Sequence, residues 1–125
     1  MPVHLDTSPT SPSLLTLHKT TSRDHYLLAR SRAGLGDGYA VPEEVLLFNP
    51  EGEITEASFS NVAFWREEAW RTPKVESGGL GGVMRRWLIE RGAWMEGTVR
   101  KADVVKGEFV LLSTGVRGAF AGIVV

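Results

Sequence analysis

Apolar positions along the chain change their spacing several times, and each change marks an element. From about 22 to 33, Tyr26, Leu27, Ala29, Arg30 and Ala33 recur at helical intervals, with Ser22 as N-cap and the glycines of GLGDG (34–38) as a stop. This predicts a first helix that starts just after Lys19. Two apolar runs follow, EVLLF (44–48) and ITEASFSNVAFW (54–65), and the turn NPEG between them predicts a β-hairpin. A short strand at 69–72 precedes the breaker Pro73. After GGLGG (78–82), Val83, Met84, Trp87 and Leu88 predict a second helix that ends at Gly92. The last third alternates MEGTVR, a short polar turn or helix at KADVVKG, the strand EFVLLST and a final strand in AFAGIVV.

Helices and strands thus alternate irregularly, which predicts an α+β domain. The opening MPVHLDTSPTSPS is rich in Pro, Ser and Thr and reads as an extended arm or linker over 1–18, looking like a cut end. The four tryptophans, Trp65, Trp70, Trp87 and Trp94, fall in or beside predicted elements and are expected in the core.

At 125 residues the chain can bury a core without disulfides, and it has no cysteine. Only His4, His18 and His25 could offer nitrogen to a metal, at spacings that match no zinc pattern, so no metal site is expected. Fourteen basic and fifteen acidic residues leave a net charge of -1, with neither the footprint of a nucleic-acid binder nor a polybasic membrane patch. No apolar run approaches membrane-spanning length, and the expected location is the cytoplasm.

Four features carry candidate chemistry. Lys19 lies before a predicted helix start, where the helix dipole and partial burial lower an amine pKa, although a lone lysine is usually a solvated surface residue. Glu56 is a carboxylate inside an apolar strand; it is either an edge charge that discourages aggregation or a partner for a cation. The glycine-rich turn before Val83 either binds an anion through free backbone amides or is simply a turn. Thr114, at a strand end before Gly115, either gives a hydroxyl to a phosphate or caps the turn. Together, the amine, acid, amides and hydroxyl are the parts that pyridoxal phosphate needs.

The segments HKTTSRDHY, EITEASFSNVAF, WRTP, GGLGGVMRRWLIERG and LLSTGVRG, in this order and at these separations, resemble the class IV aminotransferases, the fold-type IV pyridoxal phosphate enzymes. The likeness runs from about Lys19 to Arg117. It implies the cofactor domain of the D-amino acid aminotransferase-like fold, a mixed sheet or pseudo-barrel with flanking helices, over 19–125, without the smaller N-terminal domain of the family. By the same resemblance, Lys19 is the residue that holds the cofactor aldehyde and Glu56 faces the pyridine nitrogen. Leu80 packs on the ring, the amides of Val83 and Met84 and the hydroxyl of Thr114 meet the phosphate, and Asn61 fixes the adjacent strand geometry.

Within the family, KTTSRDHY with Arg23 four residues after the lysine, SNVAF, GVMR and VRG are most similar to the fungal aminodeoxychorismate lyases. Branched-chain aminotransferases usually have a tyrosine where this chain has Asp24. The lyase likeness implies formation of 4-aminobenzoate and pyruvate from 4-amino-4-deoxychorismate, a small-molecule amino substrate, by a homodimer. Arg23 and Arg117 are candidates for the substrate carboxylate or for structural ion pairs. Two alternatives stay open: a branched-chain or D-amino acid aminotransferase-like enzyme, and a non-catalytic dimeric interaction module.

Overall fold

The computed structural model describes residues 1–10, 29–35, 43–74 and 82–125. Eight strands form one mixed sheet: β1 (Pro2–Leu5), β2 (Glu44–Phe48), β3 (Ile54–Ala57), β4 (Asn61–Arg66), β5 (Ala69–Pro73), β6 (Met95–Gly97), β7 (Phe109–Thr114) and β8 (Gly118–Val124). Their order across the sheet is β3-β2-β1-β8-β7-β4-β5-β6. Helix α1 (Val83–Glu90) connects β5 to the parallel β6, and a 3-10 turn occupies Lys101–Asp103. Residues 29–32 are helical. No helix among the described residues is long and apolar enough to cross a membrane.

The order explains the shape. β3 and β4 stand first and sixth in the sheet, yet only Ser58, Phe59 and Ser60 join them, and the Ala57 N–H donates to the Ser60 carbonyl. A flat sheet would hold these strands four intervening strands apart, at roughly 5 Å per step. The sheet therefore curls until its first strand returns to its sixth, giving the expected α+β pseudo-barrel. Inside it lie Val3, Leu46, Phe48, Ile54, Ala57, Val62, Phe64, Val99, Val110, Leu112 and Val124, all buried. Alternation along each strand selects them: Leu46 and Phe48 point inward while Val45 and Leu47 point outward, against Ala29, Ala33 and Leu35. Where β3 bulges opposite Leu47 and Phe48, Ile54 and Ala57 both reach the interior despite their odd spacing.

Three expectations need correction. The opening segment is not an arm clear of packed elements, since Pro2–Leu5 is an interior strand parallel to both β2 and β8. The run 54–65 is not one strand: a buried carboxylate, described below, gathers Ser58, Phe59 and Ser60 into the turn that separates β3 from β4. Of the tryptophans, Trp94 is buried, whereas Trp65 is 51 % exposed and Trp87 also faces solvent. Trp65 and Trp70 cover each other edge to face at 5.3 Å, and the Arg91 guanidinium covers Trp87 at 4.1 Å, so each ring is partly shielded without entering the core.

The β2–β3 hairpin, β5, the helix ending before Gly92, and the strands β7 and β8 stand as the apolar pattern predicts. The predicted start of the first helix lies outside the described residues.

Candidate functional site

Outside the barrel, two helical covers lean on different parts of the sheet. Residues 29–35 lie on β2, and α1 lies on β4 and β7, where Ala63, Leu88 and Trp94 are buried with Met84 and Leu111 packed against them. α1 turns Met84, Arg85 and Leu88 toward the sheet and leaves Val83 exposed. Arg85 fixes its pose, donating to the Pro73 carbonyl at 3.0 Å and to Glu96 Oε2 at 2.8 Å, on β5 and β6.

Glu56 is buried and sits opposite Leu47, so its side chain lies on the outer face that residues 29–35 cover. Asn61 opens β4 opposite Ser113 of β7, and the next pair on that face is Ala63 with Leu111, under α1. The short turn after Ala57 therefore brings the acid of β3 and the amide of β4 to its two sides.

The same face receives the start of α1. Gly82 is its N-cap, with no side-chain capping bond and no acidic residue in the first turn. A Cβ on Gly82 would fall on Asn61 Oδ1, so the helix start touches the amide only because residue 82 has no side chain. The leading amides of a helix, here from Val83 and Met84, have no acceptor within it, and they concentrate the positive end of its dipole. Beside them, Ser113 is 1 % exposed, and its Oγ is a buried atom with no hydrogen-bond partner.

Thr114 is half-buried at the end of β7, and its Oγ1 accepts from the Arg117 N–H at 2.8 Å, which leaves the hydroxyl hydrogen available to a ligand. The exposed Arg117 guanidinium stacks on Phe120 at 3.9 Å. Met84 reaches the same turn, as a Cβ on Gly118 would lie 3.9 Å from its Cε. The structure thus brings Asn61, Val83, Met84 and Thr114 to one end of the sheet, with Glu56 across the β3–β4 turn. Lys19, Arg23 and Leu80 lie outside the described residues.

Sequence reasoning missed the group that holds this turn. Glu44 at the start of β2 is buried; its carboxylate accepts from the hydroxyls of Ser58 and Ser60, both at 2.7 Å, and from the Phe59 N–H at 3.1 Å. Arg30, fully buried, approaches Glu44 Oε1 at 3.5 Å, donates to the Glu43 carbonyl and Ser58 Oγ, and lies 4.4 Å from the centre of the Phe59 ring. Burial holds the Glu44 carboxyl above the usual carboxylate range, opposed by its hydrogen bonds with Ser60, Ser58 and Phe59 and by the Arg30 charge. A carboxylate heading the fully apolar run EVLLF was the available signal. Ser113 was also missed, although LLST sets two hydroxyls at one strand end.

An unpartnered buried hydroxyl, a glycine that yields space and an uncapped helix start fit a phosphate-bearing group such as pyridoxal phosphate. Comparison with known proteins agrees with this geometry. The sequence profile described as amino-transferase class IV matches residues 3–121. A Schizosaccharomyces pombe protein provisionally named an aminodeoxychorismate lyase is 37% identical over 97% of this chain and 54% of its own length. The Saccharomyces cerevisiae aminodeoxychorismate lyase is 34% identical over 98% of this chain and 36% of its own length. The chain thus spans about half, or less, of the relatives it matches. Among solved structures, the branched-chain amino acid aminotransferase from Thermobaculum terrenum, in its PLP form, superposes with a TM-score of 0.78 at 18% identity, over 98% of this chain and 42% of that one. Because the matched span takes in the interior strand β1, the β3–β4 closure and the hydroxyl pair ending β7, the chain belongs to the class IV aminotransferase family.

Proposed function

We propose that this chain provides the cofactor-holding part of a pyridoxal phosphate-dependent lyase that converts 4-amino-4-deoxychorismate to 4-aminobenzoate and pyruvate. The observation that carries the reading is the buried Glu56 and the uncapped start of α1 beside Asn61, gathered on the face that the barrel closure creates. The names of the two yeast relatives support the lyase branch.

Pyridoxal phosphate, when bound, supplies an electrophilic carbon and a sink for the electrons released at the substrate carbon that bears the amine. Lys19 would hold the cofactor through its amine, and the same amine would move the proton at the substrate carbon that bears the amine. Glu56 sets a carboxylate against the ring nitrogen and keeps it protonated, while Leu80 packs on the ring. The Val83 and Met84 amides and the Thr114 hydroxyl donate to the phosphate. Asn61 braces the start of α1 through its contact at Gly82. Arg23 and Arg117 meet the substrate carboxylate. In the net reaction, a proton leaves the amine-bearing carbon and the enolpyruvyl group departs with a proton as pyruvate, so the remaining ring becomes aromatic, and aromatisation drives the reaction forward.

In this reading the protein works in the cytoplasm as a homodimer. Support for self-association comes from Trp65, Phe109 and Ile123, which stand side by side on adjacent strands and are all exposed. Light scattering tests it, and a monomer at micromolar concentration would refute it.

The decisive experiment incubates the protein with pyridoxal phosphate, reduces it with borohydride and locates the label by mass spectrometry. A label on Lys19, abolished in Lys19→Ala, is expected; a label elsewhere, or none, defeats the cofactor reading. Product analysis then separates the chemistries, since 4-aminobenzoate marks a lyase and a keto acid formed from a branched-chain or D-amino acid marks an aminotransferase.

A further inference from the structure

We infer that Glu44 is a positioning residue, its carboxylate clamping the β3–β4 turn so that Glu56 and Asn61 keep facing the site. The inference rests on the cofactor reading for what Glu56 faces, while the clamp itself is independent of any ligand. Glu44 is buried, and both its oxygens are engaged within the fold, so it acts through its neighbours. Oε1 accepts from the Ser58 hydroxyl at 2.7 Å, with the Arg30 guanidinium 3.5 Å away. Oε2 accepts from the Phe59 N–H at 3.1 Å and from the Ser60 hydroxyl at 2.7 Å.

Backbone bonds also hold this turn, since the Ala57 N–H donates to the Ser60 carbonyl and the Ser58 N–H to the Val45 carbonyl, both at 2.9 Å. The carboxylate adds definition to them, because a fully satisfied buried polar network favours one arrangement of its members. Definition is needed here, as alternation alone does not set the register of β3. The β2–β3 ladder shifts between Leu47 and Phe48, so that Glu56 and Ile54 pair with consecutive residues of β2. A one-residue slip beyond that bulge would carry Glu56 into the apolar interior and bring Ala57 out of it.

The bonded serines sit where such a slip has to begin. Ser58 directly follows Ala57, and Ser60 directly precedes Asn61, so one carboxylate fixes the chain on both sides of the turn. On the far side, Asn61 meets the start of α1 at Gly82. Arg30 joins the helical segment at 29–32 to the same clamp, donating to Ser58 Oγ at 3.1 Å and to the Glu43 carbonyl at 2.8 Å.

The test uses Glu44→Gln and Ser60→Ala, which each weaken the clamp without emptying the space beside Arg30. Glutamine turns one acceptor into a donor, and alanine removes one donor. Hydrogen exchange without ligand is the first readout. The Ala57 and Ser58 amides are expected to lose protection about tenfold in both variants, while the β4–β7 ladder keeps its own. The second readout is binding of pyridoxal phosphate relative to its deaza analogue, in which a C–H replaces the ring nitrogen. Wild type should prefer pyridoxal phosphate by about tenfold or more, the worth of a hydrogen bond to a charged partner. Both variants should lose most of that preference, and in a Glu56→Gln background neither should change it further. Uniform loss of protection across the sheet, or equal weakening of both ligands, would show a general structural role and overturn the inference. So would a preference that both variants leave intact, or one that they alter in the absence of Glu56. If wild type binds neither ligand, the cofactor reading falls. Local loosening at Ala57 and Ser58 would then still support the clamp, and unchanged protection there would overturn it as well.

Discussion

Glu44 and Ser60 are 16 residues apart in the chain, yet the Ser60 hydroxyl donates to Glu44 Oε2 at 2.7 Å inside the fold. The bond ties the start of β2 to the turn that lets the sheet close on itself, between Glu56 and Asn61. With the donors from Ser58 and Phe59, the carboxylate fixes all three residues of that turn. Arg30 brings the helical segment at 29–32 to the same point.

Glu44→Ala is therefore expected to cost about 3–5 kcal/mol, because it withdraws an anion from beside a fully buried guanidinium and strands the two serine hydroxyls. Glu44→Gln keeps one acceptor and should cost less. Urea unfolding followed by tryptophan fluorescence reads both, and an alanine variant within 1 kcal/mol of wild type, on the scale of ordinary surface substitutions, would refute the role of the carboxylate.

The same group predicts an unusual pH dependence. Desolvation raises the folded-state pKa of Glu44 above that of the unfolded chain, so the folded form binds the proton more tightly. The proton-linked part of its contribution to stability is complete below the usual carboxylate pKa and is lost as pH rises through the raised folded value, while the carboxylate keeps its bonds from Ser58, Phe59 and Ser60. Paired carboxylates with lowered pKa values behave in the opposite way. Between those two pH values, the unfolding free energy of wild type should fall relative to Glu44→Gln, and beyond them the difference should be flat. A difference independent of pH would contradict the burial-driven shift.

Local patterning made β2, β5, α1, β7 and β8 legible, since alternation or helical spacing is written within each segment. Closure of the barrel was legible through the family likeness and not in local patterning. It depends on Glu44 meeting Ser58 and Ser60, and nothing in ITEASFSNVAFW reveals a distant carboxylate that will bend it. For the same reason β1 resembled a linker: its two neighbours, β2 and β8, come from the middle and the end of the chain. At the site, the family likeness named Glu56, Asn61, Val83, Met84 and Thr114, and the fold sets them around the β3–β4 turn and the start of α1. Ser113 escaped because a serine reveals its burial and lack of a partner only when folded.

Gly82→Ala tests the close approach of α1 to the sheet. The new methyl group would collide with Asn61 Oδ1, forcing either the helix start or the amide to move. Overpacking of this kind costs about 1–3 kcal/mol. Pairing it with Asn61→Ala removes the obstructing atom, so the double variant should recover most of the loss attributed to Gly82→Ala. Additive costs in a double-mutant cycle would mean that the two residues do not meet as described.

Gly122 provides a corresponding test for the interior position of β1. A Cβ there would lie 2.7 Å from Val3 Cγ2, 3.1 Å from the Met1 carbonyl oxygen and 3.2 Å from Leu112 Cδ1. Two of these atoms belong to the opening segment, so alanine at 122 should press directly on β1. A side chain can rotate away, but the Met1 carbonyl accepts the Ile123 N–H at 2.9 Å and is held by the sheet. Gly122→Ala should therefore destabilise by about 1–3 kcal/mol, and adding Val3→Ala should recover only part of it, because the clash with the backbone remains. Hydrogen exchange provides the local reading: protection of the Ile123 and Val125 amides, which donate to Met1 and Val3, should fall more than that of the β4–β7 ladder. Uniform loss across the sheet would mean that β1 and the remaining strands open as one unit, and unchanged protection at Ile123 and Val125 would place the opening segment elsewhere.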